Sequence, residues 1–490
     1  MSDEDVVWMG AAELGRRIAA GEVTSRQATT AYLDRIAALN PALEAYVTVT
    51  ADRAMTEAAA RDAELARGRR RGPLHGVPYC LKDVIATGGI RTTAGSIILA
   101  DWVPDTDATV VTRLGAAGAV LLGKVNTHEF AFDVSTQNTH ARTRNPWDRE
   151  RIAGGSSGGS GAALAAGLAA FSIGTDTAGS IRLPSAFCGV AGIKPTFGRV
   201  STAGVVAQSY TSDHVGPIAR TIEDLAVVLD AVVGYDPSDP QSLPNGSTDN
   251  TARLEEGVKG LRLGVPRELM ALPLQAGVEA AFEGAKEAFR ELGAEVREVS
   301  VPPLARARII NNAIVPPETA AQHLHWAETW FKARSIRYGE DVATLLARGR
   351  AVPATDFIRA SRERKVLAAT LAELFSTEAD LLLTPTVAVA ATYPTQKTLE
   401  LGQHEFDAID VMIHFLCGFS LAGVPALAVP AGFDADGMPL SLQIIGRGLD
   451  DARVLAAGRA FEGARPWSAF RPILGRSAAS FAAGSSDESA

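Results

Sequence analysis

Cysteine is scarce: Cys80, Cys188 and Cys417 are the only three in 490 residues, and no two stand in a CxxC spacing. Scattered thiols in that number form neither a disulfide framework nor a zinc site. They read as buried, inert groups in a reducing compartment. Long apolar runs are missing too. No stretch approaches the roughly 18 residues of a membrane span, and the acidic start MSDEDVVWMGAAELGRR has no signal-peptide core. Positive charge is in deficit, with a net charge of −9 and a pI near 5.5. That balance argues against nucleic acid as a partner, since phosphate binding needs a basic face. The eight histidines do not cluster and no HExxH occurs, so neither a metal nor another cofactor is implied. The expectation is a cytoplasmic chain with no membrane and no nucleic-acid partner.

What is present is apolar patterning on the scale of a large core, 47% of residues being hydrophobic. Ser25 can cap a helix whose apolar face is Ala28, Tyr32, Ile36 and Leu39, stopped at Asn40-Pro41. Ala119–Leu122 reads as a buried strand behind a helical stretch over 107–117. Residues 261–266, 278–292 and 295–301 read as β-α-β, and 317–376 as a helical, cap-like segment. Apolar runs at 380–386, 425–433 and 440–446 add strands, whereas 235–258 is a turn-rich excursion. Strands alternating with helices predict an α/β fold: one domain over 1–475, with a tail over 476–490 too poor in apolar residues to pack.

Chemistry concentrates in RIAGGSSGGSGAALAAGLAAFSIGTDTAGS, residues 151–180. Ser156 and Ser180 sit in two tight turns 24 positions apart (180 − 156), joined by a helical pattern of small residues. The small residues Thr177-Ala178-Gly179-Ser180 let backbone N–H groups converge on one oxygen, as an oxyanion requires. Lys82, behind the apolar run Val77–Leu81, is the nearby base, provided that burial keeps it uncharged.

Other patterns fall short. Gly118–Lys124 fits a phosphate loop until Val125, which has no hydroxyl for magnesium, and its interior reads as a strand. Gly154–Gly158 matches the GxSxG elbow, but the polar residues in front of it supply no buried strand. A flexible glycine-serine linker would not open directly into so apolar a stretch.

GVPYCLKD, GKVNTHEFAF, GGSSGGSGAA and GTDTAGSIRLPSAFCGVAGIKPTFGRVS together resemble the amidase signature family, most densely over about 70–220. The resemblance implies a single α/β/α domain built on a large, twisted mixed sheet covered by helices. It implies Lys82 as base, Ser156 as relay after a cis peptide bond, and Ser180 as nucleophile. Thr177, Ala178, Gly179 and Ser180 would form the oxyanion hole, with Ser157, Asp176 and Arg182 in support. Ala178 stands where glycine is commoner, and Val125 where GKTN has threonine.

The expected function is hydrolysis of a carboxamide C–N bond through an acyl-enzyme, with anilides, esters or carbamates as further substrates. The expected partner is a small-molecule amide, and a homodimer would be unsurprising. The alternative within the resemblance is the glutaminase subunit of a tRNA-dependent amidotransferase. There an aspartate gripping the glutamine amine precedes Asn-Leu-Ala-Gly, whereas this chain has Ile413 and then Ser420-Leu-Ala-Gly. A pocket lined by Phe132, Ile413 and Phe415, with Phe130 and Trp326 nearby, is expected to favour an aryl or alkyl group.

Overall fold

Leu381, Leu382 and Leu383 show how the interior is organised. The first and third belong to one hydrophobic cluster, and the middle one to another. Successive side chains of a strand point to opposite faces, so a run apolar at every position serves a sheet covered on both sides. That sheet has 11 strands. In the computed structural model, which describes residues 2–244, 249–331 and 337–472, the strands in chain order are as follows. They are β1 (Tyr46–Val49), β2 (Pro78–Lys82), β3 (Val120–Val125), β4 (Phe171–Asp176), β5 (Ala191–Lys194), β6 (His214–Ala219), β7 (Arg262–Pro266), β8 (Glu295–Val299) and β9 (Leu381–Pro385). A separate hairpin of β10 (Thr398–Leu401) and β11 (His404–Asp407) follows, then β12 (Ala426–Phe433) and β13 (Pro439–Gly446). The tail expected to be disordered, 476–490, lies outside the described residues.

The spatial order is β1-β3-β2-β4-β6-β5-β12-β13-β9-β7-β8. β3, β2 and β4 run parallel, as do β9, β7 and β8. The remaining neighbours are antiparallel, so the sheet is mixed. Helices 276–291 and 451–464 pack on β12 and β13 within the first cluster, and helix 182–188 packs on the same strands within the second. This is the α/β/α architecture that the resemblance implies. The segment read as helical over 317–376 holds Ala307–Thr329, Glu340–Ala351 and Ala354–Thr377.

Two local readings change. The first long helix, Ser25–Leu43, is capped by Thr24, whose hydroxyl accepts from Gln27 N–H while the Gln27 side chain accepts from Thr24 N–H. Ser25 instead donates to the Gly76 carbonyl, tying the helix to the strand region. Nor does Pro41 stop the helix. A proline removes one hydrogen bond, and the last turn closes through Glu44 N–H to Asn40 O at 2.8 Å.

Among the described residues three lysines are wholly buried: Lys82, Lys124 and Lys194. Lys194 donates to the carbonyls of Pro195 and Val424. Lys124, the end of the apparent phosphate loop, lies within β3 and donates to Ile85 O and Thr92 Oγ1, with Asp83 at 3.7 Å. It faces a built partner set, not an anion cradle. Removing one member of a buried pair strands the other charge, so Lys124→Met is expected to cost about 3–5 kcal/mol, read from the urea midpoint. ATP is expected to leave the melting temperature of the unaltered chain where it was.

Candidate active site

β2 and β4 are parallel neighbours, paired Tyr79 to Phe171 and Leu81 to Ile173, so they end at the same edge of the sheet. Loops leaving the carboxyl ends of parallel strands gather there. Lys82 is the last residue of β2 and Asp176 the last of β4. Lys82 Nζ hydrogen-bonds Ser156 Oγ and Thr175 Oγ1, each at 2.7 Å. Burial pushes this amine down to about 7, against the opposing pull of Asp213 and Asp176.

Ser156 follows a cis Gly155–Ser156 peptide bond. Gly155 is pressed against the 133–134 backbone so closely that an added Cβ would stand 2.4 Å from the Asp133 carbonyl oxygen. Ser157 joins the two serine turns. Its Oγ donates to Thr175 O at 3.2 Å, and its N–H donates to Ser180 O at 3.3 Å. The chain then enters helix Gly158–Ala165, buried throughout, which only small residues allow.

The turn after β4 is organised by the Asp176 carboxylate. Oδ1 accepts from Gly179 N–H at 2.8 Å and Oδ2 from Ile181 N–H at 3.2 Å. Arg182 donates to both oxygens through Nη2 and Nε, each at 3.0 Å, and neither side chain has any exposure. Burial alone would raise the Asp176 carboxyl, but the Arg182 charge and its hydrogen bonds hold it well below the usual carboxylate range. Gly179 has φ +137°, and a side chain there would run into Leu416.

One expected oxyanion donor is corrected here: the Gly179 N–H is spent on Asp176. The N–H groups of Thr177, Ala178 and Ser180 make no hydrogen bond among the described residues. The Thr177 hydroxyl donates to Asp213 Oδ1 at 2.6 Å, which fixes the start of the turn. Ser180 lies beside Gly155 on the wall of a cavity of about 250 Å³, and among the described residues no hydrogen bond joins its hydroxyl to Ser156.

Phe132 and Ile413 line that cavity together with Ala178, Leu183, Val315 and Leu345. Phe415 does not. It is fully buried in the second hydrophobic cluster, its carbonyl taken by Gln443 Nε2, because the short turn after Ile413 carries it into the core. Phe130 is likewise buried, against His323, Trp326, Phe331 and Tyr338. The cavity is not wholly apolar, since Asn311, Asn312, Arg308 and Arg348 reach it. Arg308 is engaged with Asp410 at 2.5 Å, and Arg348 has no partner among the described residues.

Sequence reasoning gave no site role to Thr175, to Gln443 or to Ser420, the last noted only as standing where the resembling glutaminase subunit has asparagine. The period-2 pattern of β4 could have flagged Thr175, one residue before Asp176. Ser420 donates to Asp176 Oδ1 and accepts from Arg182, while Gln443 accepts from Arg182, yet both lie more than 230 positions away with no local signal.

The amidase family model matches residues 27–455. A glutamyl-tRNA(Gln) amidotransferase subunit from Chloroflexus aggregans is 41% identical over 94% of this chain and 97% of its own length. A chain from a vestigial protein complex that revealed the evolutionary origins of an s-triazine catabolic enzyme superposes with TM-score 0.87 at 34% identity, covering 93% of this chain and 98% of that one. The 6-aminohexanoate cyclic dimer hydrolase superposes with TM-score 0.85 at 31% identity, covering 96% and 99%.

These relatives overturn the expected partners, a small amide alone with no nucleic acid. The Chloroflexus protein is named as one subunit of an assembly with a tRNA in its name. A net charge summed over one chain could not exclude a nucleic acid handled by a larger assembly. No described helix is long and apolar enough to cross a membrane.

Arg182→Met is expected to destabilise the chain by about 3–5 kcal/mol by stranding Asp176. Ser157→Ala, which removes one neutral hydrogen bond, should cost about 1 kcal/mol. Denaturation of the two variants side by side measures the difference.

Proposed function

Given that the chain belongs to the amidase signature family, we propose that it hydrolyses a carboxamide C–N bond through an acyl-enzyme on Ser180. The observation that carries this reading is Lys82 Nζ at 2.7 Å from Ser156 Oγ, at the edge where Ser180 opens into the cavity. An uncharged amine has a lone pair, and an amine lowered to about 7 is uncharged in about half of the molecules at pH 7, where an ordinary lysine is almost wholly charged.

Lys82 takes the Ser156 hydroxyl proton while Ser156 takes that of Ser180, and the Ser180 oxygen bonds to the substrate carbonyl carbon. The carbonyl oxygen becomes an oxyanion facing the N–H groups of Thr177, Ala178 and Ser180, donors of a kind worth about 3 kcal/mol each in the transition state. The C–N bond breaks as the proton returns along the same path to the leaving nitrogen. Water, deprotonated by that path, then cleaves the ester and releases the acid. Asp176, Arg182 and Ser157 hold the two turns in register and take no part in the proton transfers.

Two readings of the substrate draw on different observations. The near full-length relatives support the glutaminase component of an amidotransferase, in which the amide nitrogen is released for use elsewhere in a complex. This reading has the wider support. Ile413 on the cavity wall beside Ser180 supports a less polar amide, because an aliphatic side chain cannot pair with an ammonium.

Assay of the purified chain against glutamine, primary amides, anilides and p-nitrophenyl esters separates them. Turnover of glutamine only, with anilides inert, supports the first reading, and the converse supports the second. Ser180→Ala is expected to abolish turnover of any substrate; a variant with the original rate would sink the nucleophile assignment. For the unaltered chain, kcat/KM should fall about tenfold per pH unit below roughly pH 7, as Lys82 gains its proton, and level off above it. A profile flat from pH 5 to 8 would refute Lys82 as the base.

A further inference from the structure

Beside the cavity, three side chains with ligand atoms meet that the proton relay does not use. His128 Nε2 lies 3.7 Å from Asp133 Oδ2 and 3.8 Å from Asp341 Oδ2, and the three atoms are within 4.8 Å of one another. His128 is only 4% exposed, yet neither ring nitrogen makes a hydrogen bond among the described residues, and its Nδ1 is buried without a partner. Asp133 Oδ1 is buried without one as well, while its Oδ2 accepts from Ser135 Oγ at 3.0 Å. Burying polar atoms unpaired is costly, and the same two side chains bring His128 Nε2 and Asp133 Oδ2 to one small space whose third wall, Asp341, reaches solvent.

We propose that His128, Asp133 and Asp341 bind a divalent cation, with zinc the ion that suits them. One imidazole and two carboxylates form a three-ligand zinc set that leaves a fourth position for water. Calcium and magnesium prefer all-oxygen shells. Zinc–ligand bonds of about 2.0–2.2 Å at tetrahedral angles place ligand atoms roughly 3.3–3.6 Å apart, so the 3.7 and 3.8 Å separations of Nε2 from the two carboxylates need to close by only a few tenths of an ångström. The gap between the carboxylates, within 4.8 Å, closes as the exposed Asp341 side chain moves in. No HExxH spacing could have shown the site, because the third ligand stands more than 200 positions from the first two.

The ion would join two walls of the cavity. The Asp133 carbonyl rests on Gly155, next to Ser156. Asp341 lies in the first turn of the helix that carries Leu345 and Arg348 into the cavity.

The test is zinc titration of the chelator-treated full chain by calorimetry, with melting temperature as a second readout. One saturable ion per chain is expected, together with a rise in melting temperature on adding zinc. Affinity should fall at least about tenfold in Asp341→Asn and in His128→Asn, the scale on which loss of a supporting contact already acts. Asp341 has a 59% exposed side chain, so its variant keeps the test valid if His128→Asn fails to fold. The three cysteines are buried and offer no competing site. Absence of saturable binding would overturn the proposal and leave His128 as an imidazole held between two acids, and so would binding unchanged in Asp341→Asn. Neither readout depends on amide turnover, so the result is independent of Ser180.

Discussion

The Asp176–Arg182 pair governs the site. Two charges taken wholly out of water are a net cost unless every remaining lone pair and proton finds a partner. Here they do. The carboxylate collects Gly179 N–H, Ile181 N–H, the Ser420 hydroxyl and two guanidinium donors, and the guanidinium reaches on to Leu416 O and Gln443 Oε1. A fully satisfied network of this kind has one low-energy arrangement. It therefore fixes the 176–182 turn relative to β4, to β13 and to the short helix Cys417–Ala422. The direction in which Ser180 faces, and which N–H groups remain free beside it, follow from that arrangement.

Much of this is legible in the chain because the signals are local. Continuous apolar runs mark β3, β9, β12 and β13, and the 4-3-4-3 spacing over 278–292 marks helix 276–291. Lys82, Ser156, Ser157, Asp176 and Arg182 all stand out in the sequence, and they are gathered at one sheet edge, since parallel strands put their loops together. What fails is of another kind. Phe415 reads as a cavity residue for its aromatic ring, but a turn decides whether such a ring meets a substrate or the core, and no periodicity encodes that turn. Gly179 reads as an oxyanion donor because a nest of small residues suggests them all; which N–H a nearby carboxylate takes is a matter of angles. Ser420 and Gln443 meet Arg182 only because β13 and the 417–422 helix fold over it.

Partners are the other illegible feature. A net charge of −9 argues against nucleic acid, while the near full-length relative bears tRNA in its name. Composition averages over a whole surface, whereas association is decided by patches and by companion chains. The cavity carries a similar lesson. Its wall combines Phe132, Ile413 and Leu345 with Asn311, Asn312 and two arginines, so the single aliphatic residue at 413 describes one side of it.

The chain has eight lysines against 39 arginines, and among the described residues three lysines, at positions 82, 124 and 194, are sealed inside the sheet. Amine-directed reagents therefore meet a molecule whose outer cations are almost entirely guanidinium groups, and the sealed amines gain reactivity only when the fold opens. Acylation captured at position 82 would register exposure of the β2–β4 edge, while capture at 194 would register separation of β5 from β12. Each of these strands in the sheet's middle thus carries its own chemical reporter of local opening.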